Sequence, residues 1–548
     1  MDPSGANRTF QPADYSVFAS VLAISLGIGI YYARKGKANV QTTDSFLMAD
    51  RAMSVIPVAM SLFASFISAV AILGITAEMY TYGTQFWLIS FGFVALIPMT
   101  AHVYLPVFYN LKLSSIHEYL ELRFNRPCRL IASACFIIQT LLSNAIILYA
   151  PCLALSVVTG LNKWIAVFAV GLVCIVYTSI GGMRAVMWTD VFQMLILLGG
   201  LVAILIRGSI DMEGFGNIWA IMQERGRTDV WDFNPDPRVR HTFWSLTIGG
   251  CFNWLAVYGV NQAIVQRALA TSSLRQAQYA LYANVPGFGV IMSILCLCGC
   301  VVFAEYKDCD PLQGGRITSG DQLLPLYVMD RLYYPGLPGL FTSCIFSGAL
   351  SSISSGLNSL ATVTLKDFVM PFCPSMPEEK AILGSKLIAV IYGALMIAFT
   401  FIAANLGGVL QVAMGLNGML GGPVLAVFTL GLLYPSANSK GAIAGLLTSV
   451  IMTIWMGFGQ RMLRPSTPQL PLSIAGCYTF NTTSDFETAM SNTGNYTNSM
   501  WTTVAPEVVV EEGGPLDDFY RVSYIWWTIF GLIVCTIVGL VVSFITGE

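Results

Sequence analysis

Long apolar runs separated by short polar segments make up most of the chain. The runs are about 20 residues or longer, the length an α-helix needs to cross the hydrocarbon core of a bilayer. They lie at about 15–33, 55–80, 84–110, 127–159, 163–181 and 186–207, then at about 242–266, 279–304, 332–365, 382–404, 408–433, 441–460 and 524–546. This pattern predicts an all-α polytopic membrane protein with about 13 transmembrane helices. The stretch at about 461–523 is polar and rich in Thr, Ser, Asn and Glu. It reads as a loop outside the membrane rather than a catalytic domain.

Composition sharpens this picture. Of the 548 residues, 55% are hydrophobic and 11% charged, where a soluble domain carries about 25% charged residues. Net charge is −2, so nothing points to nucleic acid. The 13 cysteines lie mostly inside apolar runs and form no paired CxxC motifs. Cys296, Cys298 and Cys300 alternate within one span, which is poor ligand geometry on a helix, so they read as small apolar core residues.

Charge also orients the chain. The first run follows Asp2 and Asp14 and precedes Arg34, Lys35 and Lys37, the reverse of a signal peptide's flanks. It therefore reads as a membrane helix with its N-terminus outside, which puts the C-terminus inside after 13 crossings. The segments then cytoplasmic hold more than half of the 28 basic residues and fewer than a third of the 30 acidic ones, as the positive-inside rule requires. The sequons at Asn7, Asn481 and Asn495 fall on the outer side, where glycosylation occurs. These features predict a glycoprotein of the plasma membrane. Cys309 and Cys477 also fall outside, in loops long enough to meet, so a disulfide between them is open to form.

Several spans are poorly made as simple anchors. The second contains Ser61, Ser65, Ser68, Gly74 and Thr76, and the seventh Asn253, Gly259, Asn261, Gln262 and Gln266. The ninth carries Ser347, Ser351, Ser352, Ser354 and Ser355 within nine positions. Small residues let helices approach closely, but hydroxyl and carbonyl oxygens are also hard, neutral ligands for a monovalent cation. The second and seventh spans each open a block of five helices, 55–207 and 242–433. Interrupted spans at matching positions in two halves mark an inverted-repeat transporter. The remaining segments are 1–54 (outer N-terminus, first helix and inner loop), 208–241 (an outer loop) and 434–548 (two last helices with the polar loop).

The segment from Tyr177 to Gln193, with Gly181-Gly182-Met183-Arg184 and Trp188-Thr189-Asp190 at its centre, closely resembles the hallmark of the sodium/solute symporter family. Asn261-Gln262 with Val265-Gln266-Arg267, and Lys440-Gly441-Ala442-Ile443-Ala444-Gly445, resemble it too. The stretch Phe66 to Gly74 is most similar to the multivitamin and monocarboxylate branch, with iodide carriers as near relatives. The resemblance implies a leucine-transporter-type fold of five plus five inverted helices, with one extra helix before and two after. It implies a sodium site at the carbonyls of Ala64, Ile67 and Gly348 and the hydroxyls of Ser351 and Ser352. A second sodium would lie near Ser68 and Tyr149. The solute pocket would be lined by Ala71, Trp254, Tyr258, Gln411 and Met414, with Phe86 or Trp87 closing one side. Asp190 would stand on the ion exit path, or serve as the structural partner of Arg184 or Arg267.

Sodium would then be the coupling ion, with no cofactor and no other metal, in a symporter that works as a monomer. Its solute would be a small organic anion: biotin, pantothenate or a short monocarboxylate. Sugar and iodide carriers typically present a glutamine where this chain has Ala71, which counts against both substrates. A sodium-gated sensor or channel on the same fold is the rival of another class. An enzyme is disfavoured because His117 and His241 lie at loop ends and no cluster of His, Asp and Glu shares a span. No G-x-x-x-x-G-K-[ST] loop for ATP is present.

Overall fold

The computed structural model describes residues 9–37, 47–373, 375–404, 407–463, 468–477 and 515–547. Asn7, Asn481 and Asn495 lie outside the described residues. Within them the regular structure is helical, with no strand and one isolated bridge between Met53 and Thr271. Among the described residues ten helices are long and apolar enough to cross a bilayer, or eleven with one bent pair counted as a span.

α1 (Pro12–Lys37) is followed by a span that breaks into α2 (Val55–Phe66) and α3 (Ala69–Tyr82), bent by 51°. Next come α4 (Thr84–Asn110), α5 (Arg126–Thr159) and α6 (Lys163–Asp211). The second half opens with a span in two pieces, α7 (Ser245–Val260) and α8 (Gln262–Leu269). It continues with α9 (Leu274–Glu305), α10 (Leu337–Val369), α11 (Glu378–Ala403) and α12 (Val409–Leu433). α13 (Ser439–Leu463) and α14 (Tyr524–Thr546) complete the bundle. The predicted number of about 13 includes α2–α3 and two shorter apolar helices, Lys163–Val176 and Ser245–Val260.

One predicted boundary differs. The loop expected between 181 and 186 is helical, inside the 49 residues of α6. At about 1.5 Å per residue such a helix would reach about 74 Å, more than twice a hydrocarbon core of about 30 Å. The element is therefore longer than a single crossing needs, and its second part, Ala185–Asp211, is by itself long and apolar enough to span.

Burial sorts the helices into layers. The most apolar window of α10 is 89% buried, against 22% for α1 and α11 and 28% for α14. The serine-rich helix is thus the centre of the bundle, and the others turn their apolar faces to lipid. α1 docks on the start of α10: Asp14 Oδ1 accepts the backbone N–H groups of Gly336 (2.9 Å) and Gly339 (3.2 Å), satisfying donors that a helix start leaves open. At the other end of the chain, Gly441 and Gly445 let α13 meet α14. A Cβ at Gly441 would lie 2.2 Å from the Gly539 carbonyl, and one at Gly445 2.5 Å from that of Cys535. The Lys440–Gly445 motif is therefore a helix-packing surface.

One face carries a strap. Cys309 and Cys477 are joined by a disulfide, with Cα atoms 4.9 Å apart. The segment 468–477 is further held by Asp310 N–H to Ser473 O (2.8 Å) and Leu470 N–H to Thr81 O (3.3 Å).

Candidate functional site

The site begins at the break between α2 and α3. Ile67 (φ −83°, ψ 67°) and Ser68 (φ −76°, ψ 168°) leave the helical path, and the Ser68 side chain makes no capping bond. A broken helix leaves carbonyls at one end and N–H groups at the other without intrahelical partners. Against this gap α10 presents Gly348, where a Cβ would lie 2.7 Å from Ile67 O. Ser352 Oγ donates to Gly348 O at 3.1 Å and reaches Ser65 O at 3.5 Å. Ala64 stands in the last turn of α2, one turn back from the gap. The structure thus brings together Ile67, Gly348 and Ser352, with Ala64 one turn back along α2. Neutral oxygens so arranged can replace the hydration shell of a small cation without trapping it. The buried Ser351 hydroxyl, on the neighbouring position of α10, is turned toward Asp190.

Beside the gap lies a cavity of about 160 Å³. Of the residues the sequence suggested, Ser68, Ala71, Phe86, Trp254, Met414 and Ser352 line it. Others lie elsewhere. Trp87 Nε1 donates to Ser293 Oγ at 3.0 Å, and Tyr258 is buried against Phe93 and Phe288. Gln411 Oε1 accepts from Arg240 Nη1 at 3.0 Å. Tyr149, paired with Ser68 in the second sodium site, is not in the lining and has Lys163 Nζ 5.9 Å from its ring centroid. The cavity instead gains Gln139, Thr140, Ser143 and Asn144 from α5, with Asn261 and Asn417. Their signal was in the sequence: four polar residues on one face of an otherwise apolar helix. None of the lining residues is charged.

An ion pair stands beyond each side of the cavity. On the side of α3, Arg240 grips Glu78 with two bonds, Nε to Oε1 (2.9 Å) and Nη2 to Oε2 (3.1 Å). Its guanidinium also covers the Tyr82 ring at 4.3 Å. Burial, aided by the Arg240 charge, holds His241 beside it well below the usual histidine range. Nearby, Asp321 Oδ2 accepts the N–H of Val409 at the start of α12 (3.3 Å). Burial pushes that carboxyl up to about 6, and Glu78 adds to the effect. On the side of α8, Asp190 is fully buried, accepts from Ser61 Oγ at 2.5 Å and pairs with Arg267 Nη2 at 3.0 Å. Arg267 also donates to Ser61 O (2.7 Å) and to Ser355 Oγ. Of the two partners considered for Asp190 the structure supplies Arg267; the Arg184 side chain lies outside the described residues.

The model of the Sodium:solute symporter family matches residues 46–449. The chain belongs to that family. Along its whole length the symporter is 43% identical to the sodium-coupled monocarboxylate transporter 1 of Xenopus laevis, covering 98% of this chain and 86% of the relative. It is 42% identical to the sodium-dependent multivitamin transporter of Oryctolagus cuniculus, covering 100% and 84%. A solved sodium-coupled sialic acid symporter, substrate-bound and outward-open, superposes with a TM-score of 0.79 at 24% identity, covering 98% of this chain and 99% of the other. That likeness carries the fold. The protein is therefore a sodium-coupled membrane symporter for a small solute, not an enzyme.

Proposed function

We propose that this symporter imports a small organic carboxylate across the plasma membrane by alternating access, driven by sodium bound at the α2–α3 break. The observation that carries the reading is the sharing of one uncharged cavity by Ser68, at the break, and Ser352, at the ion site. An anion held there has no Lys or Arg to balance it, so bound sodium is its counter-charge. Each ligand then raises the affinity for the other, which is the thermodynamic content of coupling. The relatives named above for monocarboxylate and multivitamin transport support the carboxylate. Ala71 presents only a methyl to the cavity, which suits an aliphatic solute better than a sugar.

Size favours the short end of the class. A cavity of about 150 Å³ admits benzene, and this one is about 160 Å³, so a short monocarboxylate fits as it stands while biotin and pantothenate need a wider conformer. In this reading the repeats are 55–207 and 242–433, the N-terminus is extracellular and the C-terminus cytoplasmic. The Glu78–Arg240 pair closes the outer side and Asp190–Arg267 stands on the inner, ion-exit side. The symporter works as a monomer.

The experiment is uptake of labelled short monocarboxylate, biotin and pantothenate into expressing cells, with sodium or choline outside. Ser351→Ala/Ser352→Ala is compared at equal surface expression. The expected outcome is sodium-dependent uptake of the monocarboxylate that falls to background in the double variant. Failure to carry any of the three from protein at the surface overturns the carboxylate assignment.

A further inference from the structure

The proposed solute raises a chemical question: what holds its carboxylate in a pocket without a cation? The helix α5 answers it with neutral donors. Gln139, Thr140, Ser143 and Asn144 occupy the i, i+1, i+4 and i+5 positions of one helical face and line the cavity. Thr140 is 7% exposed and Asn144 2%, yet neither Thr140 Oγ1 nor Asn144 Nδ2 has a hydrogen-bond partner among the described residues. A buried polar group without a partner is costly, and natural folds rarely keep one without a use. Their neighbour Gln139 is already engaged, donating to Asn417 Oδ1 at 2.9 Å, so on α5 the buried unused capacity is at Thr140 and Asn144; across the lining, Trp254 Nε1 is a further buried donor without a partner among the described residues.

The Asn144 amide is also held in place. It lies against Gly356 of α10, where a Cβ would come within 2.4 Å of Nδ2 and 2.5 Å of Oδ1. Gly356 itself lines the cavity, one turn along α10 from Ser352 of the ion site. The amide and the Ser68 side chain at the α2–α3 break therefore line one cavity.

We propose that Thr140 Oγ1 and Asn144 Nδ2 are the carboxylate-binding subsite of this symporter, with Gly356 as the positioning residue that seats the Asn144 amide. The inference rests on the carboxylate reading given above and assigns the groups that recognise it. The two donors take the oxygens of an anion from the α5 side while sodium neutralises it from the α2–α3 side. Hydrogen bonds to an ionised acceptor are about twice as strong as neutral ones. They still lack the full charge of a guanidinium, so the solute can leave once sodium has left.

The test uses Thr140→Val and Asn144→Leu, close in shape but without donors, with Thr140→Ser restoring the hydroxyl. Sodium-dependent uptake of a short monocarboxylate is measured at equal surface expression, as KM and maximal rate separately. Thermal stabilisation of the purified protein by sodium alone is followed in parallel. Each donor-less variant is expected to raise KM roughly tenfold or more, the scale of a lost hydrogen bond to a charged group. The maximal rate and the stabilisation by sodium alone stay near wild type, and Thr140→Ser recovers most of the affinity. The primary amide of the same acid, a poor inhibitor of wild type, competes about as well as the acid in Asn144→Leu. If Asn144→Leu does not reach the surface, Thr140→Val decides alone. Wild-type KM in the donor-less variants overturns the subsite and leaves the symport reading standing. Wild type that carries no monocarboxylate overturns that reading and the subsite with it.

Discussion

At Ile67–Ser68 and again at Asn261 a membrane span stops being helical beside the same cavity, and the two gaps are finished differently. At Asn261 the chain is extended (φ −88°, ψ 124°) and the side chain turns back, Oδ1 accepting the Ala263 N–H at 2.9 Å. The start of α8 is thereby capped by its own chain. At Ser68 the extended geometry is similar, but the side chain caps nothing and faces the cavity. The difference lies at the start of the second piece: α8 has an N–H held by a side chain of its own chain, whereas no side chain caps the start of α3. A self-capped break holds its shape when the pocket is empty, whereas an open one changes energy with every ligand bound. In the proposed mechanism the α2–α3 break is where sodium binds, and the capped α7–α8 break holds its shape.

The most severe way to test this difference is Gly348→Val. Even the first added atom would meet the Ile67 carbonyl at 2.7 Å, forcing α10 away from the open gap. Sodium-dependent uptake at matched surface expression is expected to fall more than about tenfold, with sodium no longer stabilising the purified protein against heat. Retention of both would mean that the gap's carbonyls play no part in ion binding.

Asn261→Ala should act by another route. Losing a side-chain cap costs about 1 kcal/mol, so the unfolding midpoint drops while half-maximal sodium activation stays within about twofold. A sodium response shifted as strongly as by Gly348→Val would erase the distinction between the two breaks.

A further effect concerns pH beside the Glu78–Arg240 ion pair. The Asp321 carboxyl is raised to about 6 in the folded protein, above its value in an unfolded chain. Its contribution to stability is therefore present in acid and is lost as pH rises through about 6. Wild type should gain stability relative to Asp321→Asn between about pH 7 and pH 5. The gain is at most about 2 kcal/mol, a tenfold difference in proton affinity between the folded and unfolded chain being worth about 1.4 kcal/mol. Glu78 is the acidic neighbour whose repulsion is relieved. Parallel pH profiles for the two proteins would remove Asp321 from this role.

Much of the fold was legible because lipid demands a long, continuous apolar signal. The run at 524–546 coincides with α14, Tyr524–Thr546. Where the backbone stayed helical without a polar gap, as at 182–185 in α6, no signal marked the difference between loop and helix. Glycine was ambiguous for a physical reason. Gly74, read among the residues that interrupt the second span, lies inside α3, where a Cβ would sit 2.5 Å from that of Leu410. A missing side chain serves a break and a close contact equally well. Among the pocket residues, Phe86 faces the cavity while Trp87 turns to Ser293. These two lie in a 3-10 turn, Thr84–Leu88, where one position rotates a side chain by about 120°, which no span boundary read to within several residues can settle. Thr140 and Asn144 were visible as polar residues in an apolar helix, but their unmet hydrogen bonds exist only in three dimensions.

The uncharged lining of the cavity has an electrical consequence. A pocket that contributes no fixed charge leaves the voltage dependence of each half of the cycle to its cargo. One sodium with one carboxylate crosses the membrane field as a neutral pair, and the emptied carrier, with Asp190 neutralised by Arg267, returns equally indifferent to voltage. Every further sodium adds one positive charge to the loaded step, worth about 1.4 kcal/mol at about 60 mV. The voltage dependence of the loaded step thus reports how many ions accompany the solute.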